Sequence, residues 1–323
     1  MKRSSRLACC ALATTFAGAA SGAVAQNYPS KPVRMIVPFT PGGSQDVIAR
    51  LFAQKLTESF KQQVVIDNRG GAAGLIAAEM VARAPTDGYT LFLITGGPIS
   101  LAPALHPKLP YDPIKDFSPI TQLVDTAMAL IVTPALPVKS VPELVALAKA
   151  KPLNYGSTGN GSISHLTMEA FKHATGINVS HVPYKGAAPA MIDMLAGQVS
   201  LMFTSTASAA PYVASGKLRM LAVAWKKRSA LMPDVPTLIE SGVKDFESTV
   251  WVGMAATGGT PQAVIRKLHG ELVRALQAPD MQSRLVPLGA EPVGSTPEQF
   301  AALIREDIAR WARVVKASGI GLD

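Results

Sequence analysis

Chemistry in this chain has few places to stand. Four strand-to-helix turns are rich in Gly, Ser or Thr: TPGGSQD (40–46), NRGGAAG (68–74), GSTGNGS (156–162) and YKGAAPA (184–190). At each turn unpaired N–H groups and the positive end of a helix dipole point at the carboxyl edge of a sheet, which suits an anion. Any one of them is also what an ordinary βα turn is made of. Four of them, split between two α/β units, would face one another across a cleft.

A nucleotide does not fit these turns. A phosphate loop needs GxxxxGK[ST], and no glycine turn carries that lysine. Gly159-Asn160-Gly161 is followed by Ser162-Ile163-Ser164 rather than the rest of GxGxxG, and no acid near residue 180 is placed for a ribose; NVSHVPY supplies His181 instead. Catalytic signatures are equally absent: GxSxG and HExxH do not occur, and Cys9 and Cys10 are the only cysteines. His165 and His173 share one helix eight residues apart, too far for one metal ion, and Asp46 and Asp193 fall in different units. His165, in the first turn of its helix, has packing, capping or catalysis open to it. What remains is a carboxylate cradle. Ser44, Ser157, Thr158, Ser162 and Tyr184 are suitably placed donors, and Gly42 and Gly43 let backbone N–H groups approach. Asp46 is expected to fix the helix start behind them.

The elements that position these turns read off the hydrophobic pattern. VRMIVPF (33–39), QQVVIDN (62–68) and YTLFLIT (89–95) read as strands. The helix 44–60 between them carries Val47, Ile48, Leu51, Phe52 and Leu56 on its apolar face, and a second helix, 70–84, ends at Pro85. ALHPKLPYDPIKDFSP (104–119) reads as a structured loop. The pattern restarts after residue 125, with strands ALIVTP (129–134), LNYGSTG (153–159), NVSHVPY (178–184), VSLMFTS (199–205) and LRMLAVA (218–224). Among them lie helices at 140–150, opened by a Ser140/Glu143 capping box, at 160–176, stopped by Gly176, and at 189–198, begun by Pro189. Thr260-Pro261 and Thr296-Pro297-Glu298-Gln299 cap two long C-terminal helices, the second with its own capping box. Strand, helix, strand order with right-handed crossovers predicts an α/β fold of two similar units.

MKRSSRLACCALATTFAGAASGAVAQ places Lys2, Arg3 and Arg6 before a small, apolar stretch ending Ala23-Val24-Ala25, the pattern of a signal peptide cut after Ala25. Cys9 follows Leu7-Ala8 as in a lipoprotein signal, but no apolar region precedes it. Cleavage leaves 323 − 25 = 298 residues, a net charge of +9 − 3 = +6 and no cysteine, hence no disulfide. No later segment reaches the roughly 18 to 20 continuous apolar residues of a membrane helix. Lys226-Lys227-Arg228 is the one basic run, without interleaved aromatics, so no nucleic-acid partner is expected; a mildly positive field favours small anions.

The ordered stretches YPSKPVRMIVPFTPGGSQDVIAR, VVIDNRGGAAG, PTDGYTL, NYGSTGNGSISHL, HVPYKGAAPAMIDMLAGQV, SGKLRMLAV, KRSALMPDVPTLIESG, WVGMAATGGTP and EDIARWARVVKASGI span nearly the whole mature chain. In them the chain resembles the Bug (TctC-like) family of periplasmic solute-binding proteins of tripartite tricarboxylate transporters. The resemblance implies a type II periplasmic binding fold, a Venus flytrap. Residues 26–126 and 248–323 would form domain 1 and residues 127–247 domain 2, with closure around a carboxylate held by loops of both lobes. It implies first-lobe ligand residues Phe39, Thr40, Pro41, Gly42, Gly43, Ser44 and Asp46, with Thr95 and Gly96. From the second lobe it implies Ser157, Thr158, Asn160, Gly161, Ser162, Tyr184, Gly186, Ala187, Ala188 and Thr204, with His165 shaping its loop. It implies a monomeric periplasmic receptor, without enzymatic activity, cofactor or metal, that hands a di-, tri- or aromatic carboxylate to membrane subunits. A sensor co-receptor for a membrane kinase needs the same pocket, and an exported hydrolase on the same scaffold is the remaining alternative. Many members carry an acid where this chain has Ser200 and Thr204, and small hydroxyl residues where it has Gly96-Gly97-Pro98. Thr204 cannot pair with a ligand ammonium, which argues against an amino acid and for a carboxylate whose far end is neutral, aromatic or a second acid. Trp251 either walls the pocket or packs in the core.

Overall fold

The computed structural model describes residues 28–318 except 40, 42, 43, 107, 185 and 186. The expected signal peptide and cleavage site lie outside the described residues, as do Thr40, Gly42, Gly43 and Gly186; of Ser44 and Ala188 only the backbone is described.

The first sheet begins with β1 (Val33–Val37), β2 (Val64–Asn68) and β3 (Thr90–Thr95), all parallel, with β1 in the middle. The crossovers are α1 (Ser44–Phe60) and α2 (Leu75–Ala82), the latter entered through a single tight turn at Ala72–Gly74. On α1, Ile48, Leu51, Phe52 and Leu56 are buried against the sheet as the periodicity requires, while Val47 stays exposed. After β3 the chain makes one wide helical turn, Gly97–Leu101, and continues as α3 (Ala102–Leu105). Then comes β4 (Phe117–Val132), sixteen residues long and buried over most of its length.

β4 joins the two halves. From Phe117 to Ala127 it pairs antiparallel with β9 (Thr249–Thr257), which itself pairs antiparallel with β3. From Met128 to Val132 it pairs with β7 (Leu201–Ser205), and on its other side with β8 (Arg219–Val223). In the second sheet β5 (Leu153–Ser157) lies between β6 (Val179–Pro183) and β7, all parallel. The order β2-β1-β3-β9-β4 is thus repeated as β6-β5-β7-β4-β8, two α/β units wound alike. This is the two-lobed type II binding-protein architecture, with the carboxyl ends of β1, β3, β5, β6 and β7 turned to the cleft between the lobes.

The helices of the second unit are α4 (Val141–Ala150), α5 (Ile163–Thr175), α6 (Ala187–Leu195) and α7 (Thr206–Ala214). Glu143 N–H donates to Ser140 Oγ, and Glu143 Oε2 accepts from Lys139 N, one residue earlier than a strict capping box. Gly176 ends α5 at φ +68°, the left-handed cap that favours glycine. The chain returns through β9 to α8 (Gln262–Gln277), α9 (Pro279–Leu285), β10 (Glu291–Pro292), which adds to β4, and α10 (Pro297–Ser318). The α10 capping box forms as expected: Gln299 N donates to Thr296 Oγ1 and Thr296 N to Gln299 Oε1. Thr260 does not cap α8; its hydroxyl donates to Thr257 O, closing the preceding turn, and Pro261 is the cap residue.

Candidate functional site

The second-lobe loop is built almost entirely from its own hydroxyls and glycines. Gly159 (φ +132°) and Gly161 (φ +68°) occupy conformations a β-carbon would strain. Ser162 caps α5, accepting from His165 N at 3.3 Å while its hydroxyl donates to Gly159 O at 2.6 Å. Thr158 N donates to Ser164 Oγ at 2.8 Å. Gly161 N donates to His165 Nδ1 at 3.1 Å, which puts the proton of a neutral His165 on Nε2. His165 thus anchors the loop backbone at Gly161.

Beneath this loop three rings stack. The His165 and His181 rings lie 3.9 Å apart and 9° from parallel, and Tyr155 stacks on His181 at 4.8 Å. Tyr155 OH donates to Glu169, which Lys172 also engages. Burial lowers the pKa of both imidazoles; His181, with His165 as its neighbour, falls to about 4. His181 Nε2 lies 2.7 Å from Ser157 Oγ, and Gly159 N donates to the same oxygen at 3.1 Å. A serine and histidine at this distance have the spacing of a nucleophile and its base. Ser157 is, however, fully buried behind the loop and not on the cavity wall, so the pair braces the end of β5.

In the first lobe Asp46 is 2 % exposed. Its carboxylate accepts from Arg50 Nε and Asn68 Nδ2, each at 2.9 Å, and the same amide donates to Phe39 O at 3.0 Å. Asp46 thus fixes the start of α1 and the end of β1 together.

Between the lobes lies a cavity of about 390 Å³. Of the residues expected at a ligand site, Phe39, Thr95, Gly96, Thr158, Asn160, Gly161 and Ser162 line it, so both lobes contribute. Tyr184 is drawn aside, its OH donating to Asp193 Oδ2 at 2.7 Å, and burial beside that carboxylate pushes its pKa up to about 12. Thr204 is buried in β7 opposite Ala129, and Pro41 and Ala187 are not on the cavity wall. The far wall is Trp251 with Asp307: the indole Nε1 donates to Asp307 Oδ2 at 2.8 Å, and Arg310 donates to Oδ1 at 2.5 Å. Among the described residues no group of His, Cys, Asp or Glu is placed to hold a metal ion.

The profile of the tripartite tricarboxylate transporter family receptor matches residues 48–320. The chain belongs to this receptor family. BugT of Bordetella pertussis is 37% identical over 309 residues, 95% of each chain. A solved periplasmic transporter is 43% identical with a TM-score of 0.82, covering 92% of this chain and 100% of its own. Rpa4515 of R. palustris, solved with adipate, is 37% identical with a TM-score of 0.83 over the same shares. The family and these structural neighbours are solute-binding proteins rather than enzymes.

Gln45, Leu75, Gly97 and Ile163, each in or beside a predicted turn or site residue, also line the cavity, and two further groups of lining residues were missed. Leu101, Ala102, Leu105 and His106 enter through the helical turn after β3, hidden in the sequence by Pro98 and Pro103. Prolines are tolerated there because the first turn of a helix leaves its N–H groups unpaired anyway. Thr249, Val250 and Asp307 enter from β9 and α10, more than 140 residues downstream of the first-lobe loops, and no local motif marks them. Trp251 fills both roles open to it: it walls the cavity and packs edge-on against Phe300 in the core.

Proposed function

We propose that this receptor captures a small carboxylate between its lobes in the periplasm and delivers it to the membrane subunits of a tripartite transporter. One observation carries the reading. The polar loop that opens α5, with Thr158, Asn160, Gly161 and Ser162, lines the same cavity as Phe39, Thr95 and Gly96 of the opposite lobe. A ligand that touches both walls binds the closed arrangement preferentially and draws the population towards it. Residues 26–126 with 248–323, and residues 127–247, would move as the two rigid halves, with β4 and β9 as the connecting strands. Thr40, Gly42, Gly43, Ser44, Gly186 and Ala188 complete the proposed cradle from the turns that flank it. Export by a signal peptide cut after Ala25 fits a receptor of this family.

The test is a thermal-shift and calorimetric screen of mono-, di-, tri- and aromatic carboxylates on the mature protein. A specific ligand stabilises the folded protein by RT ln(1 + [L]/Kd) and so raises the melting temperature, and scattering should show a smaller radius of gyration in its presence. A flat response across the panel would overturn the carboxylate reading. A sensor role uses the same cavity; capture of a membrane kinase instead of transporter subunits would favour it.

A further inference from the structure

Asp307 puts a carboxylate on the cavity wall, and two donors fix its orientation. The residue is 5 % exposed. Its Oδ2 accepts from Trp251 Nε1 at 2.8 Å and its Oδ1 from Arg310 Nη2 at 2.5 Å, while Arg310 also donates to Glu247 O. An ionised carboxylate offers about four acceptor positions, and these two bonds leave it able to take another donor.

Gly96 controls the approach to Oδ2. It lines the cavity, and its backbone, at φ −59° and ψ −29°, is one that any residue adopts. The effect of a side chain there would be steric. A β-carbon would stand 3.4 Å from Trp251 Nε1 and 3.6 Å from Asp307 Oδ2, both ordinary contact distances, so the place beside the pair has room for one heavy atom. A ligand oxygen entering that place needs to lie only about 1 Å nearer to Oδ2 to donate a hydrogen bond to it.

We propose that Asp307 reads a neutral hydroxyl on the ligand, so that the site selects hydroxycarboxylates over the same acids lacking the hydroxyl or carrying an ammonium in its place. The inference rests on the carboxylate reading above and narrows it. A hydroxyl donating to an ionised carboxylate makes a charge-assisted bond, stronger than one to a neutral acceptor. An ammonium could make the same bond, but it would surrender the hydration of a full charge, and the carboxylate it met is already paired with the Arg310 guanidinium, which repels a second cation. Trp251 and Arg310 are positioning residues, since each holds one oxygen of Asp307 in place.

The experiment is calorimetric titration of the mature protein at pH 7.5 with two matched sets, malate, succinate and aspartate, and mandelate, phenylacetate and phenylglycine, chiral probes as separate enantiomers. In a skeleton that binds, the better enantiomer of the hydroxy acid is expected to bind at least about 10-fold more tightly than its deoxy and amino counterparts. Asp307→Asn should cut that ratio to under about 3-fold. Should this variant fail to fold, Gly96→Ala carries the test, because it keeps Asp307 with both partners and places a methyl against Oδ2; the same fall in ratio is expected. A merely structural role would weaken hydroxy and deoxy acids alike and leave the ratio unmoved, which would overturn the assignment to Asp307. Deoxy or amino acids binding as tightly as the hydroxy acid would overturn the proposal and leave carboxylate capture intact. Silence of all six acids would overturn the carboxylate reading and the proposal with it.

Discussion

Acidification should loosen the second-lobe loop, and the stacked imidazoles set the window. An unfolded histidine titrates near pH 6.5, whereas folded His181 titrates at about 4. Between these values the unfolded chain binds more protons than the folded one, so stability is complete above about pH 6.5 and falls as pH drops towards 4. The unscreened linkage for a shift of this size amounts to about 2.5 kcal/mol by pH 4.5; His181 is partly exposed, and screening reduces this to roughly 1.5 kcal/mol. His165, lowered by its own burial, acts in the same direction, and its protonation at Nδ1 would also take the acceptor from Gly161 N.

The assay is urea denaturation of wild type and His181→Gln at pH 7.5 and 4.5. Carboxyl groups elsewhere contribute pH slopes of either sign, but these are common to both proteins and cancel in the difference. Wild type should lose about 1.5 kcal/mol more than the variant between the two pH values. Equal losses would refute the reasoning, because the variant retains every other titrating group. Carboxylate affinity should follow the same window, weakening below about pH 5 as the loop that presents Thr158 to Ser162 loses its anchor.

Two further outcomes follow from single buried atoms. Thr95 Oγ1 is buried and has no hydrogen-bond partner among the described residues, so Thr95→Val should raise the ligand-free melting midpoint by the equivalent of about 1 kcal/mol in chemical denaturation, and a loss of stability would refute it. Asp125, half-buried in β4 beside the crossing between sheets, has its pKa raised to about 6 by desolvation; Asp125→Asn should therefore stabilise the protein by about 1 to 2 kcal/mol at pH 7.5 and by nothing below about pH 4, measured by urea midpoints.

Where local pattern decides structure, the sequence was readable. α1 runs over the residues its periodicity marks, Gly176 stops α5, and the Thr296/Gln299 box opens α10. The glycine and hydroxyl turns were legible for the same reason: their composition states what the backbone must do there. β4 was half hidden. Only its end, ALIVTP, reads as a strand, because irregularities between Pro119 and Thr121 and between Gln122 and Val124 break the alternation that the eye follows. β9 was hidden by Gly253, Ala255 and Ala256, poor strand formers by propensity. Gly253 is required by packing: a β-carbon there would enter the Phe300 ring and stand 2.9 Å from Thr121 O. Asp46 was legible as the residue that fixes its helix start, whereas Ser157 was recognisable as a polar residue at a binding edge but not as one facing backwards. Their partners, Asn68 and His181, sit on the neighbouring strands, and only the register of β1 on β2 and of β5 on β6 brings them together.

That backward-facing layer bears on how so slight a loop would hold the anion proposed for it. The N–H groups at the start of α5 carry no charge, so their value to a carboxylate depends on being held in place before the ligand arrives. Ser157, His165 and His181 do the holding from the second-lobe side. The remaining support crosses the cleft: Leu166 of α5 packs with Leu101, Trp311 and Val315, and Thr167 Oγ1 lies 2.6 Å from Ser248 Oγ at the return strand. Burying a leucine in such a cluster contributes about 1.5 to 3 kcal/mol to the α5–α10 contact. The opening proposed above would then turn about that seam and the paired strands β4 and β9. The same α10 that forms the seam carries Asp307 into the cavity wall.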